Sequence, residues 1–316
     1  MGGQNFLYPR CKKMNNIKIS DISKFLSVAY DGEDFIIKKV TSLDKIEDNS
    51  FVFSKNKTIN NIDNKALILV PIDFEYSKNL NYSVIRVKNP RLEFAKVINN
   101  FFIKAIKKGI HSSTVIGNEC KIDISVSIGA NCVIGDNVII GKNTKINNNV
   151  VLSDNTILGN NCYIKSGSII GEDGFGFDFE EDGTPVRIPH IGNVTIGNNV
   201  EVGSNTVIVR GTLNNTFIED NVKMDDQVFI AHNCKIGKNT VVISFAEISG
   251  SVTIGKNCWI GPNCSIIQKV TIGDNTTIGI GSIITKDIEA NKKIMGLESL
   301  ELRPLLKVKK RIEYGK

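Results

Sequence analysis

From Ile116 onward an aliphatic residue returns at every sixth position: Ile116, Ile122, Ile128, Ile134, Ile140, Ile146, Leu152, Leu158, Ile164 and Ile170. The series resumes at Ile196, Val202 and Ile208. After four extra residues it runs from Ile218 through Met224, Ile230, Ile236, Val242, Ile248, Ile254, Ile260, Ile266, Ile272 and Ile278 to Ile284. A sustained period of six predicts a left-handed parallel β-helix, in which each hexapeptide forms one flat face and the chain turns at its end. Three faces make one coil, so the 25 repeats amount to about eight coils and a prism roughly 40 Å long at the ~4.8 Å spacing of strands. Gly follows the aliphatic often, as at Gly117, Gly129, Gly135, Gly141, Gly197, Gly237, Gly255 and Gly273, and is read as a corner residue tolerant of unusual backbone angles.

A second register supports the first. Cys120, Cys132, Cys162, Cys234, Cys258 and Cys264 all stand four places after the aliphatic, where other repeats carry Val126, Thr144, Ser168, Thr206, Ala246 or Ser282. This is a slot for small residues inside the coil, so six of the seven cysteines are read as core packing. None forms a C-x-x-C pair, which argues against both zinc and disulfides.

Two stretches break the period, Gly171 to Ile191 and Arg210 to Asn214. In so regular a scaffold, such departures are where binding loops belong. The chain before about residue 105 has another texture. A short helix is expected at Ile19–Leu26, strands at Ala66–Val70 and Ser83–Val87, and a helix entered through Asn89-Pro90. The predicted organisation is therefore an extension over residues 1–14, with Met14 as a second candidate start, and a small α/β domain over 15–105. A β-helix over 110–288 and a short basic helical tail over 289–316 follow.

Composition excludes more than it identifies. The formal net charge of +6 is modest for 316 residues, and no aromatic-and-basic motif points to nucleic acid. No run approaches the ~20 apolar residues of a membrane span, and residues 1–13 lack the apolar stretch of a signal peptide. A cytoplasmic location is the expectation.

Four segments carry a more specific likeness: Gly171-Glu-Asp-Gly-Phe-Gly-Phe177, Ile188-Pro-His-Ile-Gly192, Val228-Phe-Ile-Ala-His-Asn233 and Ile248-Ser-Gly-Ser251. Together they resemble the UDP-3-O-acylglucosamine N-acyltransferases of lipid A synthesis and related hexapeptide-repeat enzymes. Phe51-Val-Phe-Ser-Lys-Asn56 and Lys88-Asn-Pro-Arg-Leu92 are similar to that family's uridine-binding domain. The resemblance implies a homotrimer with sites in the clefts between prisms, an acyl thioester as donor, a nucleotide sugar as acceptor, and no permanently bound cofactor or metal.

Amide formation needs a base with a pKa near 7, which histidine supplies, typically for a gain of 10²–10⁴-fold. The chain has three histidines, His111, His190 and His232. His232 matches the family's catalytic histidine, and Asp225 matches a carboxylate that could orient it. His190 and Asn233 are candidate substrate contacts, as are Asp173, Gly174, Phe175, Gly176 and Phe177 of the glycine-rich loop. Phe53 and Asn56 match the family's base-stacking and uracil-contacting places, although a strand-end Phe is equally a core residue.

Three departures bear on the substrates. Val209 stands where the family has Asp in Thr-Ile-Asp-Arg-Gly, Lys269 replaces a second histidine near the pantetheine arm, and the C-terminal helices that meet acyl carrier protein are cut to a short tail. These favour acyl-CoA as donor, with Lys269 as a candidate phosphate contact, and a nucleotide-linked amino deoxysugar as acceptor. The lipid A reaction with acyl carrier protein is the alternative, and the departing thiolate is a second candidate proton acceptor. A zinc carbonic anhydrase on the same coil would need closely spaced histidines that are absent from the repeat. A non-catalytic scaffold would have no use for the loop or His232.

Overall fold

A computed structural model describes residues 16–59, 62–75, 81–103 and 108–296. The expected N-terminal extension, residues 104–107 and residues 297–316 of the expected tail lie outside the described residues, while Lys293–Ile294 of that tail form a strand, not a helix. The chain divides into two compact units, Met1–Ala105 and Ile106–Lys316.

In the first unit, helix α1 (Ile19–Leu26) begins where the Asp21 carboxylate accepts the backbone N–H of Lys18 at 2.9 Å. Strands β1 (Tyr30–Asp31), β2 (Lys39–Val40), β3 (Ser50–Phe53), β4 (Ala66–Pro71) and β5 (Ser83–Val87) form one sheet in the order β1-β5-β4-β3-β2. All neighbours in it are parallel except β1 and β5. Successive residues of β3 and β4 serve opposite faces: Phe51, Leu67 and Leu69 join one apolar cluster, Val52, Ile68 and Val70 the other. That is the period of two imposed by a strand, and it explains why these runs read as continuously apolar. Helix α2 (Pro90–Val97) starts at Asn89, whose side chain caps the N–H of Leu92 at 3.2 Å. The sequence located α1, α2, β4 and β5; it missed the four-residue β3 and also β1 and β2, two residues each and too short to show a pattern.

The second unit is the parallel β-helix. Its short strands form three sheets: sheet I, ten strands from Gly109–Ile110 to Lys293–Ile294; sheet II, nine from Val115–Ile116 to Ile283–Ile284; and sheet III, eight from Lys121–Ile122 to Thr271–Ile272. Strand partners stand 18 residues apart, as Ile134 and Leu152 do. Across the first interruption they stand 38 apart (Leu158 to Ile196, Ile170 to Ile208), and across the second 22 (Ile208 to Ile230) without loss of register. The insertions are therefore extruded whole from the coil. The periodic aliphatics form the core and are almost all buried; only near the N-terminal end does the column open, where Ile116 is 39% exposed.

The corners correct one reading. The left-handed backbone conformation falls three places after the aliphatic, not one, and is held mostly by Asn: Asn131, Asn143, Asn161, Asn199, Asn239, Asn257 and others have φ between 54° and 63°. Asn tolerates that region better than other residues with a Cβ. The Gly after the aliphatic has ordinary angles and is needed for space. A Cβ on Gly135 would lie 2.7 Å from the backbone nitrogen of Asp154 in the next coil, and one on Gly129 2.8 Å from that of Asn148.

The small-residue slot has a polar reason as well. Thr144 and Thr240 donate to the carbonyls of Gly159 and Gly255, each at 2.8 Å, and Cys264 donates to Gly279 at 3.0 Å. A short donor that satisfies the neighbouring coil's carbonyl explains why Cys, Thr and Ser interchange there. The six described cysteines are unbridged. Burial pushes the Cys234 thiol up to about 12.

Candidate active site

Both insertions leave the prism at one edge, the corner after sheet II, and rejoin it at sheet III. His232, Gly250 and Lys269 follow on that edge in the next three coils. The fold thus stacks the glycine-rich loop, the second insertion and the Ala-His-Asn segment in consecutive coils.

The imidazole of His232 is fixed by its neighbours. Its Nδ1 lies 3.0 Å from Asn233 Oδ1 and 3.4 Å from Thr212 Oγ1. The Asn233 amide is itself oriented: its Nδ2 donates to the carbonyl of Asn214 at 3.1 Å, and its Oδ1 accepts the backbone N–H of Thr212 at 3.1 Å. With Oδ1 facing the ring, Nδ1 must carry the hydrogen, because a carboxamide oxygen only accepts. The Nε2 lone pair is left free, over Gly250, where an added Cβ would lie 2.5 Å from Nε2. Asn233 sits at a corner with φ 61°, so the backbone turn that places it beside the ring is the one Asn supports throughout the coil.

His190 packs against this group, its ring 5.4 Å from that of His232 at 74°. It is 4% exposed, Nδ1 lies 3.1 Å from the Ile188 carbonyl, and Nε2 is buried without a hydrogen-bond partner. Such enclosure gives it the place of a wall behind His232 in this conformation. The two loop glycines make room for it: a Cβ on Gly174 would fall 2.7 Å from His190 Nε2, and one on Gly176 3.0 Å from Cε1. Val209, where a carboxylate had been looked for, is buried and borders Gly174.

Arg210 ties the two insertions together, a role the sequence did not disclose. Its Nε donates to the Gly171 carbonyl and stands 3.6 Å from the Asp173 carboxylate, its NH2 donates to the Asp154 carbonyl at 3.4 Å, and its backbone N–H donates to Glu172. Beyond the clamp, residues Phe177–Phe179 and Pro185–Arg187 pair as a hairpin. Phe175 is 87% exposed with its ring 4.9 Å from that of Phe177, and Arg187 lies 4.9 Å over the Phe177 ring.

Asp225 is elsewhere. It follows sheet I, at the corner opposite His232 across the strand Phe229–Ile230, and its carboxylate accepts from the Ser244 hydroxyl. That bond, the Asp226 N–H and nearby Lys165 hold it below the usual carboxylate range. Within one chain Asn233, not Asp225, orients the imidazole. His111 lies at the start of the coil, bonded to Ser113 at 2.9 Å. Lys269 is exposed on the edge that bears His232, in the left-handed conformation, φ 65°.

In the first unit, Phe53 ends β3 half-buried, its ring 4.9 Å from that of Phe94, and Asn56 is exposed just beyond, its N–H donating to Ser54. No group of three His, Cys, Asp or Glu among the described residues is arranged to hold a metal ion.

Fold and edge together define a hexapeptide-repeat β-helix with an elaborated corner. Segments 113–148, 138–172 and 251–286 match the family "Bacterial transferase hexapeptide (six repeats)". The chain resembles the UDP-3-O-acylglucosamine N-acyltransferase of Cytophaga hutchinsonii, 58% identical over 81 residues, 26% of this chain and 23% of that protein. It is also similar to the enzyme of that name from Burkholderia multivorans, 52% identical over 88 residues, 26% of this chain and 24% of that one. The matched segment therefore spans about a quarter of the length of these relatives. Among solved structures, the UDP-N-acetylglucosamine acyltransferase of Francisella novicida superposes with TM-score 0.55 at 27% identity, over 60% of this chain and 67% of that one. The O-acyltransferase of Moraxella catarrhalis gives 0.55 at 26% identity, over 63% and 77%.

Proposed function

We propose that this protein is a thioester-dependent N-acyltransferase whose acceptor is a UDP-linked amino sugar already acylated at oxygen, as in lipid A synthesis. The observation that carries the reading is the free Nε2 of His232, aimed over Gly250 by the Asn233 amide on the edge that bears the glycine-rich loop. The names of the relatives support this acceptor over the free amino deoxysugar that the three sequence departures favoured. They leave the thioester carrier open between CoA and acyl carrier protein.

The sugar amine attacks the thioester carbonyl, forming the C–N bond while the C–S bond breaks. Nε2 takes the amine proton as the tetrahedral intermediate forms, and returns it to the departing sulfur. The Nδ1–H bond to Asn233 keeps the ring in the one tautomer that can accept at Nε2. Phe175 and Phe177 wall the acyl chain, and Phe53 and Asn56 are candidates to meet the nucleotide base.

The working unit is a homotrimer. Sheet II turns a row of apolar side chains outward, Val115, Val133, Val151, Ile169, Val207 and Phe229, of which Val115 is 64% exposed. An apolar strip of this length supports burial against a second copy. The test of function is a mass-spectrometric assay crossing acylated UDP-glucosamine and free UDP- and dTDP-amino sugars with acyl-CoA and acyl carrier protein. Amide product from the O-acylated acceptor is expected; product only from a free amino sugar would return the acceptor to the amino deoxysugar class.

A further inference from the structure

Among the described residues of the second unit, one buried side-chain polar atom lacks a hydrogen bond, and it is Nε2 of His190. The other ring nitrogen, Nδ1, lies 3.1 Å from the Ile188 carbonyl. A carbonyl only accepts, so Nδ1 bears the hydrogen and Nε2 presents a bare lone pair. What covers that lone pair is the glycine-rich loop. A Cβ added to Gly174 would lie 2.7 Å from Nε2 and 3.0 Å from a methyl of Val209. The loop backbone thus closes over an imidazole nitrogen and an aliphatic side chain, neither of which its glycine can satisfy.

Elsewhere the same loop is well tied. The Gly171 N–H donates to the Ile208 carbonyl at 2.8 Å, and its φ of 92° lets the chain turn out of sheet II there. Arg210 holds the stem, its Nε on the Gly171 carbonyl and its backbone N–H on that of Glu172 at 3.0 Å. On the far side the Ile188 N–H donates to the Gly176 carbonyl at 2.9 Å, and Arg187 donates to that of Gly174 at 3.3 Å. Closure therefore gains backbone bonds and strands a lone pair at the same time. The tip is left open, with Phe175 87% exposed.

Resting on the acyl-transfer reading, we propose that residues 172–176 are a lid over the bound acyl group and that His190 is the positioning residue that keeps its closure reversible. A bare buried acceptor weakens the closed state by roughly 10-fold, and opening the loop hydrates it. An acyl chain against Phe175 and Phe177 buries apolar surface and tips the balance shut. In the closed state the His190 ring also packs its edge on His232, at 5.4 Å and 74°, so closing the lid and seating the base are one event. Reopening then sets the rate at which product leaves.

The test is His190→Phe, which keeps a flat ring beside His232 and removes the lone pair. In the full-length protein, hydrogen exchange is followed at the Ile188 and Arg210 amides, whose bonds to Gly176 and Glu172 close the loop. Exchange there is expected to slow roughly 10-fold, with a raised Tm. Donor KM and kcat, measured with an acyl-CoA and with an acyl carrier protein, should fall together by a similar factor, because a lid that shuts too firmly binds tightly and releases slowly. Arg210→Gln pushes the other way, with faster exchange at Ile188 and a raised KM. Unchanged or faster exchange in His190→Phe would overturn the lid. So would slower exchange with kcat lost and KM unchanged or raised, the pattern of a disturbed wall. Exchange is read without turnover, so slowed exchange with no product from any donor would support the lid and sink the acyl-transfer reading alone.

Discussion

Two corners of the same prism obey different rules. At the corner from sheet III to sheet I, every coil from Asn143 to Asn291 turns on an Asn: Asn143, Asn161, Asn199, Asn221, Asn239, Asn257, Asn275 and Asn291. From Asn221 on their side chains bond one to the next along the axis, as Asn239 to Asn257 at 3.0 Å and Asn257 to Asn275 at 3.1 Å. At the corner from sheet II to sheet III the chain turns on Asn137 and Asn155, extrudes two loops, then turns on Asn233, Ser251 and Lys269. At the first corner the Asn side chains are spent largely on one another. In the second no such ladder runs, and Asn233, the first corner residue after the loops, spends its amide on the imidazole and the loop backbone. Regularity here serves stability, and its loss on one edge is where the proposed chemistry is placed.

The comparison can be pressed hardest at its glycines. Gly250→Ala would set a methyl 2.5 Å from His232 Nε2, and a fall in kcat of roughly 10²-fold is expected, the scale of losing a positioned base. Gly135→Ala sits one place after its aliphatic against the next coil's backbone, so it should lower Tm and leave kcat alone. Equal effects of the two on kcat would erase the distinction between corners. A chemical version follows from Asn233→Asp. A carboxylate facing Nδ1 favours the imidazolium and raises its pKa, and the base works only when neutral, so the acidic limb of the kcat–pH profile should move to higher pH. An unmoved limb would mean that Asn233 does not set the state of His232.

Smaller effects are expected away from that edge. Asn257→Ala removes two ladder bonds and leaves a Cβ residue without help in the left-handed region, a cost of about 1–2 kcal/mol read as a lower Tm. Its kcat should match the wild type. The buried thiols test the core itself. With Cys234 pushed up to about 12 by burial, it should resist alkylation at pH 8 until the chain unfolds. Because the unfolded thiol ionises near pH 8.5 and the folded one does not, this group's contribution to stability declines as pH rises above that value.

How much of this could be read from the sequence depends on how locally each feature is encoded. Ile116 to Ile284 announced the coil because each repeat sees the same surroundings, so its pattern is written over and over. The Cys and Thr slot was legible for the same reason. The role of the repeat's Gly was misread because the conflict it avoids is with the next coil, as at Gly135 against Asp154, and spacing along the chain does not reveal that. His232 could be found through the Ala-His-Asn segment. Its partner could not, since Asp225 and Asn233 both stand within seven residues of it and only the corner geometry separates them. Arg210 gave no signal in the sequence, because it acquires its place from Asp173, Gly171 and Asp154, 37 to 56 residues away.

The most direct measurement is the kcat of His232→Ala beside that of Asn257→Ala, with Tm taken for both. The expected result is a loss of about 10²-fold or more in the first with Tm unchanged, and full kcat with a lowered Tm in the second. Near-normal turnover by His232→Ala would contradict the assignment of the base, leaving the departing thiolate as the proton acceptor and this edge as a binding surface alone.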